Sequence, residues 1–233
     1  AEIMVKEGIM DRFDISQVYA IHNTPGETLG NFYTTRGALM AGADVFHVDI
    51  KGHGGHGAYP QETRDPVISA VAIAQAFQSI VSRNASATDK LVISVTQIHT
   101  GTIDNIIPDT AYMNGTVRTF DKNVKDMVRQ RMSEIVSGHS ASFGVEAILR
   151  YEEGYPPTIN NPDKADFAIA VAADIVGEEH ANTQRGIEMG AEDFSYMLEE
   201  RPGAYLFLGI AKTAGLHNPN YDFNDEASPY GAS

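Results

Sequence analysis

The side chains able to do chemistry in this 233-residue sequence are eight histidines, 31 carboxylates and 17 lysines and arginines, with no cysteine. Two of the histidines, His53 and His56, sit among the four glycines of Lys51–Pro60 (KGHGGHGAYP). Glycines let a backbone turn sharply and approach a ligand. An imidazole held there donates a hydrogen bond, shuttles a proton or binds a metal. The alternative is a glycine-rich turn carrying two solvated histidines. His22, in Ile21–Pro25 (IHNTP), and His217, in Leu216–Pro219 (LHNP), each lie in a loop beside a proline. Each reads as a metal ligand or as a solvated turn residue, because a catalytic zinc takes three protein ligands and these are two. The Arg118 guanidinium can bind a carboxylate through two parallel hydrogen bonds, or it is an ordinary surface arginine. Asn105 orients an amide or carboxylate, or it is a turn residue. Glu192 and Asp193 stabilise a helix start, or they are outer partners of a metal ligand. His47, His99, His139 and His180 have no comparable context.

These residues need elements to hold them. Phe46, Val48 and Ile50 alternate with His47, Asp49 and Lys51, the two-residue period of a half-buried strand over Val45–Lys51. The glycine loop therefore follows a strand. Asp65 and Pro66 signal a helix start, with Val67, Val71, Ala74, Phe77 and Val81 along one face. Strands follow at Leu91–Ile98 and Thr110–Phe120. In the second, Arg118 shares a face with Tyr112, Asn114 and Thr116, away from Ala111, Met113, Gly115 and Val117. Asp121 caps a second helix, and Val145–Tyr151 is the last strand. The order βαββαβ is the split βαβ, ferredoxin-like arrangement. It is expected as an inserted domain over residues 44–155, between residues 1–43 and 156–233 of a mixed α/β domain.

Outside that insert, Ala1–Phe13 reads as one helix already under way, and Gln17–His22 as a strand that leaves His22 at its C-terminal end. Ligands commonly lie at such ends in open α/β sheets. Asn31–Arg36 is a further strand candidate. Asp163–Val176 and Glu192–Glu200 read as helices, and Ala204–Ile210 as a buried strand ended by Gly209. The last residues, Pro229–Ser233, show no closing element, so both ends read as trimmed.

Hydrophobic residues make up 42% of the chain, so a packed core is expected. The net charge of −14, with no basic patch, argues against a nucleic-acid partner. There is no signal-peptide pattern and no apolar run long enough for a membrane span. Zero cysteine excludes disulfide and thiolate chemistry and fits a reducing, cytoplasmic compartment.

Six separate stretches occur together in one order: Ile21–Pro25, Gly52–Pro60, Asn105–Pro108, Gly115–Arg118, Ala191–Ser195 and Leu216–Pro219. In that order they resemble the M20 metallopeptidase family, in its amidohydrolase branch of hippurate hydrolase-like and N-acyl-amino-acid hydrolases. The resemblance covers nearly the whole chain. It implies a zinc-peptidase-like α/β catalytic domain, here partial, with an inserted ferredoxin-like lid that forms a homodimer. It implies two divalent metals, zinc or manganese with cobalt or nickel as further options, with His22 and His217 among their ligands. By the same resemblance His56 polarises the scissile carbonyl in a neighbouring subunit, and Asn105 and Arg118 hold the substrate's free carboxylate. The implied substrate is an N-acyl amino acid or similar peptide-like amide.

The sequence also departs from that family. A His-x-Asp pair, a Cys-Gly-His-Asp run and a Glu-Glu pair that carry further metal ligands and the general base are absent. The chain therefore reads as about two-thirds of such an enzyme, keeping two of the family's usual metal ligands, so that the two metals are expected in the parent enzyme and either some or none on this chain by itself. The alternatives are a non-catalytic dimerisation or substrate-binding module, and a rearranged mononuclear site from His22, His217 and an acid such as Glu192.

Overall fold

The computed structural model describes residues 1–211 and 214–233. The chain is a mixed α/β protein with two compact units, one from residues 1–41 and 155–233 and the other from residues 42–154. It opens with helices α1 (Glu2–Lys6) and α2 (Ile9–Arg12), then strands β1 (Val18–Thr24), β2 (Phe32–Tyr33) and β3 (Gly37–Met40). The single helix expected over Ala1–Phe13 is two short ones. Gly8 adopts φ 77°, a left-handed conformation that interrupts the helix and caps the next.

The second unit runs through β4 (Gly42–Lys51), β5 (Gly55–His56), α3 (Pro66–Ser79), β6 (Leu91–Thr100), β7 (Ile106–Ile107), β8 (Thr110–Thr119), α4 (Lys122–Phe143) and β9 (Glu146–Tyr155). Its main sheet has the order β6-β8-β4-β9, with β8 antiparallel to both β6 and β4. Along β4, Phe46, Val48 and Ile50 are buried while Val45, Asp49 and Lys51 are exposed. Both helices start on capping aspartates. The Asp65 carboxylate accepts from the Val67 amide at 2.8 Å, and Asp121 from the Asn123 amide at 2.7 Å.

One expectation for α3 fails. Val71 and Val81, read from the sequence as core positions, are exposed, and the buried stripe is Ala70, Ile73, Phe77 and Ile80. Apolar residues surround this helix on all sides, so its own period does not select a face. The sheet selects the stripe that brings Phe77 edge-on to Phe46, with ring centroids 5.3 Å apart.

The first unit resumes with β10 (Thr158–Asn160), α5 (Pro162–Val176), β11 (Ala181–Asn182), α6 (Ser195–Glu200), β12 (Gly203–Gly209) and α7 (Ser228–Ala232). The expected helix from Glu192 begins only at Ser195, and the tail does close on a short helix, α7. The main sheet has the order β1-β12-β2-β11. β1 and β12 are parallel, and β12 and β2 antiparallel. Every residue of β12 is buried, as a strand covered on both faces requires. Ala204, Leu206 and Leu208 face a cluster with Ala165 and Ala172 of α5, whereas Tyr205 and Phe207 join Val18, Leu39 and Phe194 on the other side. Among the described residues no helix is long and apolar enough to cross a membrane.

Candidate active-site residues

The glycine loop after β4 is held by backbone contacts that only glycine allows. A Cβ at Gly52 would lie 2.0 Å from the Arg64 carbonyl oxygen, and one at Gly54 2.4 Å from that of Ile107. The Gly54 amide donates to the Asp109 carboxylate at 2.8 Å. His53 and Arg64 exchange backbone hydrogen bonds at 2.9 and 2.8 Å. The loop then forms β5, which pairs antiparallel with β7 so that His56 faces Ile106. The Gly57 amide donates to the Asn105 carbonyl oxygen at 2.8 Å. His56 and Asn105, fifty residues apart in sequence, are thus brought together on one exposed tip.

The contacts of His56 fix its chemistry. Its Nδ1 accepts from the Ala58 amide at 3.1 Å. A neutral imidazole that accepts at Nδ1 carries its proton at Nε2. The exposed nitrogen is then a hydrogen-bond donor. The Tyr59 ring stands edge-on to the imidazole with centroids 5.5 Å apart. Sequence reasoning gave Ala58 and Tyr59 no role, although both lie within three residues of His56 in the same loop.

Arg118 lies elsewhere in the same unit. It pairs across β8 with Ala43 of β4 and Val92 of β6, whereas Thr110, next to the loop end, pairs with Lys51. Eight residues of strand separate the two ends, about 26 Å at roughly 3.3 Å per residue. Within one copy of this unit, that length of strand lies between Arg118 and the end of β8 that follows Asn105. Arg118 makes no side-chain hydrogen bond or ion pair among the described residues, so its fork is available to a ligand.

In the first unit His22 sits at the C-terminal half of β1, in register with Phe207, with its ring 6.3 Å from Tyr205 and 6.4 Å from Phe207. Its Nδ1 lies 2.7 Å from the Asn23 carbonyl oxygen, so Nδ1–H donates and Nε2 keeps a free lone pair. That is the arrangement in which a second group orients a ligating imidazole. The Asn23 amide donates to the Tyr221 hydroxyl at 2.5 Å, which ties the segment carrying His217 to this strand end. His217 is exposed, with φ 61°.

Glu192 is engaged otherwise. It accepts from the Tyr205 hydroxyl at 2.8 Å and from the Phe194 amide at 3.3 Å. Burial pushes the Tyr205 hydroxyl well above the usual tyrosine range, and the Glu192 carboxylate adds to the shift. Among the described residues no three or more His, Asp or Glu side chains converge into a metal site. The mononuclear site from His22, His217 and Glu192 does not form. The described residues offer two imidazoles, which fit as part of a metal centre and do not complete one.

The sequence matches the family model "Peptidase family M20/M25/M40" over residues 1–233. It is 33% identical to a hippurate hydrolase of Campylobacter jejuni over 233 residues, covering all of this chain and 61% of that protein. It is 38% identical to thermostable carboxypeptidase 1 of Saccharolobus solfataricus, covering 95% of this chain and 55% of that protein. An N-acetylcysteine deacetylase of Bacillus subtilis is 33% identical, with 97% of this chain and 58% of that protein covered. The chain therefore spans little more than half the length of these curated relatives. Among solved structures, a dinuclear metal-binding peptidase of Bacillus subtilis superposes with a TM-score of 0.79 at 27% identity, over 98% of this chain and 57% of that one. A protein of methicillin-resistant Staphylococcus aureus gives a TM-score of 0.84 at 25% identity, over 98% and 59%.

Proposed function

The chain belongs to peptidase family M20/M25/M40, and from that membership we propose that it is the larger part of a metal-dependent amidohydrolase acting on N-acyl amino acids or similar carboxylate-bearing amides. The observation that carries this reading is the tautomer of His56, whose Nδ1 accepts from the Ala58 amide and whose Nε2–H faces outward. A fixed Nε2–H donates to the scissile carbonyl oxygen, and the bond strengthens as negative charge develops there. Arg118 receives the free carboxylate of the amino-acid part through its fork. Asn105, beside His56, supplies an amide to the same end of the substrate as His56.

An N-acyl amino acid is much shorter than the separation of about 26 Å between the two ends of β8. The reading therefore requires two copies, with His56 and Asn105 from one and Arg118 from the other. The edge strand β6 and the outward stripe of α3, with Ile68 at 54% and Val71 at 45% exposure, offer an apolar surface for a homodimer. His22 and His217 contribute two imidazoles to the metal centre, whose other donors come from the part of the relatives' length that this chain does not span.

The test uses the longer parent enzyme. His56→Ala is expected to lower kcat about 100- to 1,000-fold, as loss of one oxyanion donor does. Arg118→Ala is expected to raise KM for carboxylate-bearing amides far more than for neutral ones. Equal losses on both substrate types, or an unchanged kcat in His56→Ala, would remove the assignment. A second reading, a binding or dimerisation module without catalysis of its own, is favoured by the lack of a converging metal cluster among the described residues. Amide hydrolysis by this chain alone, abolished by His56→Ala, would overturn it.

A further inference from the structure

We propose that Tyr59 is a positioning residue that holds the His56 imidazole in its Nε2–H donor state; the proposal rests on the role given to His56 above. An exposed imidazole has two freedoms that spoil it as a directed donor. It can rotate about the Cβ–Cγ bond, which exchanges the places of Nδ1 and a ring carbon, and when neutral it can carry its proton on either nitrogen. The structure bears on both. The Ala58 amide at 3.1 Å from Nδ1 holds that nitrogen as an acceptor. The Tyr59 ring stands edge-on to the imidazole, centroids 5.5 Å apart with an interplanar angle of 61°, and so packs against the ring whose orientation sets that acceptor.

Tyr59 is itself placed by His56. Its amide donates to the His56 carbonyl oxygen at 2.8 Å, and its own carbonyl oxygen accepts from Glu62 at 3.1 Å as the chain enters the turn begun by Pro60. The side chain remains 53% exposed. Among the described residues its one aromatic neighbour is the imidazole. The loop is anchored from the far side by the Gly57–Asn105 backbone bond at 2.8 Å, so the ring pair stands on a fixed base. His53, on the same loop and also exposed, pairs with no aromatic ring among the described residues and serves as an internal reference.

The experiment is long-range proton–nitrogen correlation NMR of the imidazole nitrogens in the ¹⁵N-labelled chain, at a pH where the rings are neutral. Wild type and Tyr59→Phe are expected to show His56 almost wholly as the Nε2–H tautomer, with His53 a mixture. Tyr59→Ala is expected to shift the His56 tautomer ratio severalfold toward that of His53, while the amide signals of β4 and β8 stay in place. Tyr59→Leu, which keeps bulk on the loop, is the second variant should Tyr59→Ala disorder it, and it is expected to fall between the two. A His56 tautomer ratio unchanged in Tyr59→Ala and Tyr59→Leu would overturn the proposal, as would an unbiased mixture in wild type. In the parent enzyme Tyr59→Ala is expected to lower kcat about tenfold with KM within twofold, and Tyr59→Phe to restore it. If the NMR result holds but His56→Ala leaves kcat intact, the functional reading fails and the positioning stands. If His56→Ala abolishes turnover while the tautomer ignores Tyr59, the reverse is true.

Discussion

The two units solve the same problem, a sheet that must be covered, with different completeness. In the second unit one continuous cluster joins Phe46, Val48 and Ile50 of β4 to Met113 and Val117 of β8, Ile73 and Phe77 of α3 and Met132 and Ile135 of α4. In the first unit the core divides into two clusters by sheet face, and one of them leans on alanines: Ala165, Ala172, Ala181, Ala204 and Ala227. Alanine buries little apolar area, so that cluster gains less on folding. The opposite stripe of α5 leaves Phe167 at 54%, Val171 at 44% and Ile175 at 41% exposure. The difference teaches that the residues of each unit answer to different constraints. The second unit presents its candidate donors from a self-contained core, and the first holds His22 on a sheet whose edge strand β1 pairs on one side only.

Three measurements would break or sharpen that contrast. Phe46→Ala, at a fully buried position edge-on to Phe77, is expected to cost about 3–5 kcal/mol. Segment-resolved hydrogen exchange should show the loss in β4 and β8; protection there equal to wild type would break the picture of one cooperative core.

A smaller effect should appear in both units at high pH. Each holds a tyrosine that donates to a carboxylate: the half-buried Tyr151 to Asp44 at 2.8 Å and the buried Tyr205 to Glu192 at 2.8 Å. Burial first, then the carboxylate, raises both hydroxyls above the usual tyrosine range. A tyrosine is uncharged when protonated. A raised folded pKa therefore contributes stability that is fully present below the unfolded value near 10 and is lost as the pH rises beyond it. The slope per group is at most about 1.4 kcal/mol per pH unit, reduced by solvent screening. Tyr151→Phe should flatten the alkaline loss in the second unit, and Tyr205→Phe in the first; each variant changing the other unit's profile instead would contradict the assignment. The smallest effect is expected for Val171→Ala on the exposed stripe, within about 0.5 kcal/mol in this chain. A loss of several kcal/mol would show that the stripe is covered in solution.

Much of this was legible from local pattern. The alternation through Val45–Lys51, the caps at Asp65 and Asp121 and the buried run ending at Gly209 all depend on neighbours within a few residues, and the structure follows them. The break at Gly8 was not, because a lone glycine is compatible with a helix until its φ is chosen. For the candidate site, residue type and motif order picked out His22, His56, Asn105, Arg118 and His217, while the hydrogen bonds that orient His22 and His56 were not legible, although their partners lie within the same motifs. The Asn23 carbonyl on His22 and the Ala58 amide on His56 are backbone groups, which every residue carries and no sequence pattern marks.

By itself the sequence determined the family, the longer strands and helices and which residue types could bind a carboxylate, polarise a carbonyl or hold a metal. Tertiary structure alone decided that Ala70, Ile73 and Phe77 face inward on α3, that His56 and Asn105 share a tip, and that Arg118 stands at the other end of β8. The reason is one of range. Periodicity and caps are settled within a turn or two of chain, whereas a helix apolar on every side takes its inner face from the sheet beneath it. Two residues on one strand or its flanking loops likewise meet or separate according to register, which is fixed by pairing with strands far away in sequence.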